Sequence, residues 1–348
     1  MSREKAYIQN KGMGAEMNYY FKVQMISTVL LSVLFIQSAY ASITTFEKEY
    51  TYQASEIDSK VTSRANALEQ VKRLLLEELG TYLESKTEVK NFMLTQDQIT
   101  TLTGGIVSAV VVSEKWDGVN YVLKAKISAD PNEVAKAVNQ LRNDTSKTKE
   151  LENTKELANK YAKEIIRLKK QLNNLPSEKL AVKNTEYKHT VDLLSATNAY
   201  NEAIVLVNSR KPKEEIIAKL NQAIKLNPNY DAAYATRGIQ KEIDKPHEAI
   251  EDYKKALESK PGWSLVHNGL GRAYRNLGEY DIAIESFNKA INNIDNYYVD
   301  FKKGMLSGIY FNRGLTYEKL GDLEKATDDM KKSAGGPAKS WLKKHDID

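Results

Sequence analysis

The sequence contains no cysteine, and this absence excludes several classes of site at once. Without a thiol the chain can form no disulfide bridge, offer no thiolate ligand to zinc and use no cysteine nucleophile. The absence is compatible with an oxidising compartment but does not prove one. With 348 residues, the chain is long enough for two or three globular domains.

Histidine is scarce as well, and the chemistry that depends on it is missing. The four histidines are His189, His247, His267 and His345. None of them has the spacing of a His-x-x-x-His or His-Glu-x-x-His metal site. The glycine pairs at 104–105 and 335–336 belong to neither a phosphate-binding loop nor a dinucleotide-binding turn. The sequence therefore predicts a protein that is not an enzyme, with no catalytic residue, no cofactor and no metal site.

The chain also lacks a strong excess of one charge. It has 51 basic and 46 acidic residues, which gives a formal net charge of +5 at pH 7. An isoelectric point near 8.8 then reflects a small excess rather than a basic patch. The composition does not favour nucleic acid as a partner.

Long apolar runs are missing too, apart from one short run near the N-terminus. Residues 25–36 are mostly apolar and are followed by Ala39 and Ala41, small residues at the two positions that a signal peptidase reads. The run is shorter than the about 20 residues of a membrane-spanning helix. The pattern predicts a signal peptide over residues 1–41, with cleavage after Ala41.

Two forms of export are compatible with this segment. Cleavage would release a periplasmic or secreted bacterial protein with no stable membrane span after processing. Without cleavage, residues 25–41 would anchor the chain in the inner membrane. Translation beginning at Met13 or Met17 instead of Met1 stays open, because the polar prefix is unusually long for a signal peptide.

Residues 42–143 have the pattern of a small α+β domain. Strict alternation of apolar and polar residues indicates a strand, and apolar residues three and four apart indicate a helix. Asp117-Gly118 is typical of a tight hairpin turn, and Asp130-Pro131 of a helix start. The predicted elements are a strand over 45–52, a long helix over 57–83, a hairpin of segments 106–115 and 120–128, and a helix over 131–141.

This order of strand, long helix, hairpin and helix resembles the small N-terminal domain of exported bacterial proteins such as the flagellar assembly T protein. The resemblance is one of pattern and implies no function by itself. It motivates one alternative, in which the protein is a cell-envelope or flagellar assembly factor that acts through residues 42–143.

Residues 144–176 are charged, lack glycine and carry a seam of side chains alternately three and four residues apart. The seam consists of Leu151, Thr154, Ala158, Tyr161, Ile165, Leu168, Leu172 and Leu175. Such heptads are typical of a coiled coil, and Glu164 and Lys169 fall where they could pair between parallel helices. One interpretation is a homodimer through residues 151–175. The alternative is a single helix laid on the helical array that follows.

The stretch 199–332 repeats itself at the period of a helix pair. Each repeat has a small residue in its first helix, then a small and a large residue in its second. These sets are Gly238, Ala249 and Tyr253; Gly271, Ala283 and Phe287; and Gly314, Ala326 and Met330. The first two sets are 33 or 34 residues apart, and the third follows after 43, which indicates an insertion at about residues 293–303.

This pattern resembles the tetratricopeptide repeat, which implies an α-solenoid of stacked helix pairs. The array would cover residues 186–334 with about four helix pairs, the first of them degenerate. A helix over 335–348 would cap it with Trp341 and Leu342. The predicted fold class is an α+β N-terminal domain followed by an all-α helical spacer and a tetratricopeptide α-solenoid.

The resemblance implies a concave groove, lined by first helices, that binds a protein or peptide partner. Counting from the packing glycines places nine side chains there: Ala235, Ile239, Glu242, Asn268, Arg272, Arg275, Phe311, Leu315 and Glu318. Asn268, Arg272 and Arg275 could hold a carboxylate or an acidic segment of a partner. The predicted function is a periplasmic, non-enzymatic scaffold or adaptor. An enzyme or accessory subunit with its site in residues 42–143 is a further alternative, which the missing motifs disfavour.

Overall fold

The computed structural model describes residues 43–90, 92–172, 177–294, 299–333 and 335–347. The predicted signal peptide, residues 1–41, lies outside them. No helix within the described ranges is long and apolar enough to cross a membrane. The predicted fold class is confirmed, because a small N-terminal sheet with its helices precedes a helical array.

The N-terminal part is an α+β arrangement. Its elements are β1 (Thr44–Gln53), α1 (Lys60–Glu84), α2 (Thr87–Lys90), α3 (Gln96–Gly104), β2 (Val110–Trp116), β3 (Asn120–Ala129) and α4 (Pro131–Arg142). The strands form one sheet in the order β1-β3-β2, and β2 pairs antiparallel with β3. The hairpin turn uses Gly118 at φ +101°, a conformation that favours glycine. Asp117 stabilises the turn by accepting the backbone N–H of Asn120 at 2.6 Å.

One face of the sheet is buried against α1. In β3, Tyr121, Leu123 and Ile127 are buried, and they alternate with partly exposed residues. Leu75 and Leu79 of α1 belong to the same hydrophobic cluster. The alternate apolar side chains of β3 and the apolar side chains spaced three or four residues apart in α1 therefore pack in one core. Each element buries the one face that its periodicity makes apolar.

The helices α2 and α3 were not predicted from the sequence. At the start of α3 the hydroxyl of Thr95 accepts the backbone N–H of Gln98 at 3.2 Å, and the Gln98 side chain accepts the backbone N–H of Thr95 at 3.0 Å. This Thr-x-x-Gln capping box is the sequence signal that could have identified the helix. Ile99 and Leu102 attach α3 to the core.

The predicted spacer forms a long helix, α5 (Thr145–Leu172), that packs on α6 (Ser177–Asn208). Its seam residues Ile165, Leu168 and Leu172 are buried in one cluster with Tyr187 and Leu194 of α6. This finding corrects the coiled-coil prediction for the described part of the seam, because other helices of the same chain already cover it; Leu175 lies outside the described residues. A homodimer through residues 151–175 would have to remove α5 from its own core.

The remaining helices form consecutive pairs. They are α7 (Lys213–Leu226), α8 (Asp231–Lys241), α9 (Pro246–Ser259), α10 (Ser264–Asn276), α11 (Tyr280–Asn292), α12 (Val299–Leu320), α13 (Leu323–Lys332) and α14 (Gly336–Lys344). The helix α6 packs on α7, α8 on α9, α10 on α11, and α12 on α13. The first helix α12 has 22 residues, against 11 in α8 and 13 in α10. Part of the predicted insertion therefore lengthens the first helix of the last pair.

The α+β part and the first helix pair share one hydrophobic cluster. It contains Leu75 of α1 and Leu123 of β3 together with Tyr200 of α6 and Leu220 of α7. Asn208 at the end of α6 also donates a hydrogen bond back to the α3–β2 connection. These contacts attach the N-terminal sheet to the beginning of the array.

A buried ion pair reinforces this junction. The fully buried carboxylate of Asp58, between β1 and α1, lies 2.8 Å from Nζ of Lys169 in α5. It also accepts hydrogen bonds from the hydroxyl of Tyr187 in α6 and from the backbone N–H of Ser55. Burial alone would raise the pKa of Asp58, but the hydrogen bonds from Lys169, Ser55 and Tyr187 outweigh it and lower this pKa.

Candidate functional site on the first helices of the repeats

Small residues hold the first helices α8 and α10 against their second helices. A Cβ added to Gly271 would lie 2.5 Å from the ring of Phe287 in α11. One added to Gly238 would lie 2.7 Å from the ring of Tyr253 in α9. Interiors are close-packed, so these approaches need a residue without a side chain. The glycine side of each first helix is therefore buried against its second helix, and only the other sides remain available to line a groove.

Two of the nine predicted groove residues are buried, which corrects their expected accessibility. Ala235 is 4% exposed and Asn268 is 7% exposed. Ala235 packs in the cluster that joins the second and third repeats. The side chain of Asn268 accepts a hydrogen bond from Asn312 of α12 at 3.3 Å. Both residues lie where neighbouring first helices meet, whereas Ile239 is exposed.

Glu242 and Arg272, both predicted to contact a partner, bind each other. Nε and Nη2 of Arg272 donate to the two carboxylate oxygens of Glu242 at 3.0 and 2.8 Å. The hydroxyl of Tyr253 donates to the same carboxylate at 2.9 Å. Burial alone would lower the pKa of Arg272, but the hydrogen bonds and the charge of Glu242 raise it above its ordinary value. This pair links α8 to α10 and does not present a free charge.

Arg275 is different, because its partners are neutral. Its Nη1 donates to the backbone oxygen and to Oδ1 of Asn312 at 3.1 and 3.3 Å. Within the described part of the chain, no carboxylate oxygen lies within ion-pair distance of Arg275. Burial and then repulsion by Arg272 lower the pKa of Arg275 more than the nearby charge of Glu242 raises it, although an arginine remains charged at neutral pH. Arg275, Asn312 and Asn268 thus form a half-buried cationic node that an anionic group could join.

The fourth repeat meets the chain's own C-terminal helix. Phe311 and Leu315 pack on the cluster that includes Trp341 of α14. Nε2 of His345 lies 3.4 Å from a carboxylate oxygen of Glu318. The C-terminal segment therefore already contacts the predicted groove residues of this repeat, which are Phe311, Leu315 and Glu318. Their role in binding a partner stays a prediction.

Two ion pairs that the sequence reasoning missed lie between the first and second helices. Arg237 of α8 donates from Nε and Nη2 to Asp252 of α9 at 2.9 and 2.5 Å. It also donates to Asn221 of α7 at 2.6 Å, so it joins two repeats. Arg313 and Asp329 form the same pair in the last repeat. The available signal was an arginine directly before the packing glycine and an aspartate directly before the large residue of the second helix.

The described ranges hold no group of three or more metal-binding side chains. Arg237, Arg272 and Arg313 of the first helices each pair with a carboxylate, whereas Arg275 donates hydrogen bonds to neutral groups. The first helices also carry one exposed apolar side chain of the predicted groove, Ile239 of α8.

Comparisons with known structures show similarity to several solved repeat domains. The tetratricopeptide domain of Sgt2 from Aspergillus fumigatus is 20% identical and covers 37% of this chain and 82% of its own, with a TM-score of 0.32. A MamA structure is 20% identical and covers 56% and 94%, with a TM-score of 0.35. MamA from Desulfovibrio magneticus RS-1 is 17% identical and covers 51% and 92%, with a TM-score of 0.36. At these values the similarities carry no argument about function.

The family comparison is more specific. Residues 264–297 and residues 307–335 each match a family model described as tetratricopeptide repeat. The first match begins at the first residue of α10, and the two matches contain the packing glycines Gly271 and Gly314. No curated protein matches the chain. The two matched segments and the helix pairs that they form show that this chain contains tetratricopeptide repeats.

Proposed function

We propose that this protein is an exported periplasmic scaffold or adaptor, which holds a protein partner against the first helices of its tetratricopeptide repeats. Repeat arrays of this kind present extended surfaces for protein binding. The observation that carries the proposal is the cationic node, in which the hydrogen bonds of Arg275 within the described residues go to neutral groups.

The chemistry of the node favours an acidic partner segment or a terminal carboxylate. A guanidinium that already donates to neutral oxygens gains a stronger, charge-assisted bond when a carboxylate arrives. Partial burial strengthens that attraction, because the local dielectric is lower than in water. Ile239, exposed on the preceding first helix α8, would supply an apolar contact, so an acidic peptide with an apolar side chain is the partner that we infer.

Photocrosslinking tests the proposal directly. The full chain, including the proposed signal peptide, would carry a photoreactive phenylalanine analogue in place of Ile239 and be irradiated in the bacterial envelope. A matched probe at Lys254, an exposed residue of the second helix α9, reports capture on another surface. Each probe would be combined with Arg275→Glu, and Lys254→Glu would serve as the control for the same change of charge.

The proposal requires one partner that crosslinks from position 239 and not from 254. R275E should abolish that crosslink, whereas K254E should leave it unchanged. A crosslink from 239 that is insensitive to R275E would overturn the role of the cationic node. Crosslinks from 254 alone would overturn the choice of surface.

The alternative, an envelope or flagellar assembly factor that acts through the α+β part, needs a different probe. Deleting residues 42–143 would expose Tyr200 and Leu220 of the array, because they share a core with that part. A photoreactive residue at Lys115, on the edge strand β2, avoids this problem. Partner capture from 115 and not from 239 would favour the assembly factor.

The export part of the proposal is supported by the apolar run at 25–36 and the small residues Ala39 and Ala41. N-terminal sequencing of protein purified from the periplasmic fraction tests it. The expected first residue is Ser42. An intact N-terminus in the membrane fraction would instead support an anchor over residues 25–41.

A further inference from the structure

A cavity of about 820 Å³ lies between the α+β part and the first helix pair. None of the nine predicted groove residues lines it. Its volume falls in the range of about 300–1,000 Å³ that is typical of small-molecule sites. The cavity therefore has the size of a binding site of its own.

Four helices contribute one face each to this cavity, and each face has helical spacing. The lining residues include Glu69 and Leu76 of α1, Thr100 of α3, Leu151 of α5, and Asn201 and Val205 of α6. Faces that meet in this way normally close into an apolar core. Here polar and small side chains keep the space open, while Leu76, Leu151 and Val205 give it apolar walls.

The basic side chains on these faces are already bound to carboxylates. Nζ of Lys72 lies 2.5 Å from Glu202, and Nζ of Lys155 lies 2.5 Å from Asp97. Arg73 lies 3.9 Å from the carboxylate of Glu77, its neighbour on α1. An anionic ligand would have to compete with these carboxylates for the same cations.

Glu69 is the exception among the carboxylates. It accepts a hydrogen bond from the neutral side-chain amide of Asn198 at 2.7 Å, and it has no cation as partner within the described residues. The amide of Asn201, on the same face of α6, makes no hydrogen bond to the described chain. Glu69 and Asn201 therefore offer unused hydrogen-bond acceptors beside the apolar walls, and Oε2 of Glu78, which also lines the cavity, is buried without a hydrogen-bond partner.

We propose that this cavity binds a small molecule with a primary ammonium group on an apolar chain. The ammonium group has three donors, which match the carboxylate of Glu69 and the oxygen of Asn201. The apolar chain lies against Leu76, Leu151 and Val205. This site is independent of the partner surface on the first helices.

Three probes with the same six-carbon chain test the charge preference: hexylamine, hexan-1-ol and hexanoate. Isothermal titration would use the chain from Ser42 to the C-terminus. Hexylamine should bind at least tenfold more tightly than hexanoate, with hexan-1-ol between them. Equal binding of all three, or no binding of hexylamine, would overturn the proposal.

Substitutions locate the binding. Glu69→Gln keeps the shape and removes the charge, and it should weaken hexylamine binding at least tenfold. Glu84→Gln, at the exposed end of the same helix and outside the cavity, is the matched control and should stay within twofold of the unsubstituted protein. Asn201→Trp should fill the space and abolish binding of every probe. Hexylamine binding that survives both E69Q and N201W would place the ligand elsewhere and overturn the assignment.

Discussion

The guanidinium of Arg313 donates two parallel hydrogen bonds to the carboxylate of Asp329, from Nε and from Nη2, both 2.7 Å long. The side chain of Asp329 is only 2% exposed, so the pair is largely removed from water. Arg313 also donates to Asn288 of the preceding repeat. The pair therefore joins the two helices of the last repeat and connects that repeat to the one before it.

Replacing Arg313 with leucine leaves the carboxylate of Asp329 buried without its charge partner. Breaking a buried pair in this way costs about 3–5 kcal/mol. Urea denaturation should show that loss in the free energy of unfolding. The third repeat has Leu270 and Ser286 at the corresponding positions, so R313L/D329S is the matched control and should recover most of the stability. A double variant no more stable than R313L would contradict this explanation.

Gly271 and Gly308 should respond in opposite directions to alanine. A Cβ at Gly271 meets the ring of Phe287, and such overpacking costs about 1–3 kcal/mol. At Gly308 in α12 no described atom outside its own helix turn lies within 4 Å of an added Cβ. Alanine in a helix is favoured over glycine by about 1 kcal/mol, so G308A should stabilise the protein. Thermal unfolding measures the melting temperature of both variants. Equal shifts of the two melting temperatures would rule out the close approach at Gly271.

Trp341 should stabilise the end of the array. It is 7% exposed, belongs to the cluster with Met330 and Ala338, and stacks on His345 with ring centroids 4.0 Å apart. Truncating a buried aromatic residue to alanine costs about 3–5 kcal/mol. W341A should therefore lower the melting temperature measured by circular dichroism. W341F should lose less, because the indole N–H is buried without a partner. An unchanged melt for W341A would refute the capping role.

Asp58 should make stability depend on acid pH. Its pKa in the folded protein is lowered below the about 3.9 of an unfolded chain. The pair with Lys169 therefore contributes fully above that value, and its contribution is lost as the pH falls through the folded-state pKa. Asp58→Asn should cost about 3–5 kcal/mol at neutral pH, and the difference from the unsubstituted protein should shrink below about pH 4.

The control for this titration is Asp97, whose carboxylate is 82% exposed and pairs with Lys155. Exposed pairs contribute little to stability. Asp97→Asn should therefore leave the free energy of unfolding nearly unchanged at neutral pH. Urea denaturation at several pH values measures both variants. A constant difference between D58N and the unsubstituted protein at every pH would show that Asp58 does not titrate in this range.

The repeats were predictable because each one packs locally. Gly271 and Phe287 are sixteen residues apart, and the small-to-large contact between them recurs along the chain. The helix α3 was also within reach, through the capping box at Thr95. The same local logic could have identified Arg313 and Asp329, since both occupy fixed places in the repeat.

The charges of the first helices were not predictable in the same way. Glu242 and Arg272 are thirty residues apart, and each alone is a reasonable contact for a partner. Whether they form an ion pair depends on the distance between α10 and the end of α8. No short sequence pattern determines that distance. The neutral hydrogen-bond partners of Arg275, one turn further along α10, likewise depend on the arrangement of the helices and not on a short sequence pattern.

By itself, the sequence determined the fold class, the helix pairs of the repeats and the amphipathic faces. Only the tertiary structure decided what covers those faces. The seam from Ala158 to Leu172 has the same apolar spacing whether a second copy or α6 lies against it, and α6 does. An amphipathic pattern records that a face is buried, because apolar side chains leave water in either case. It does not record which surface buries them.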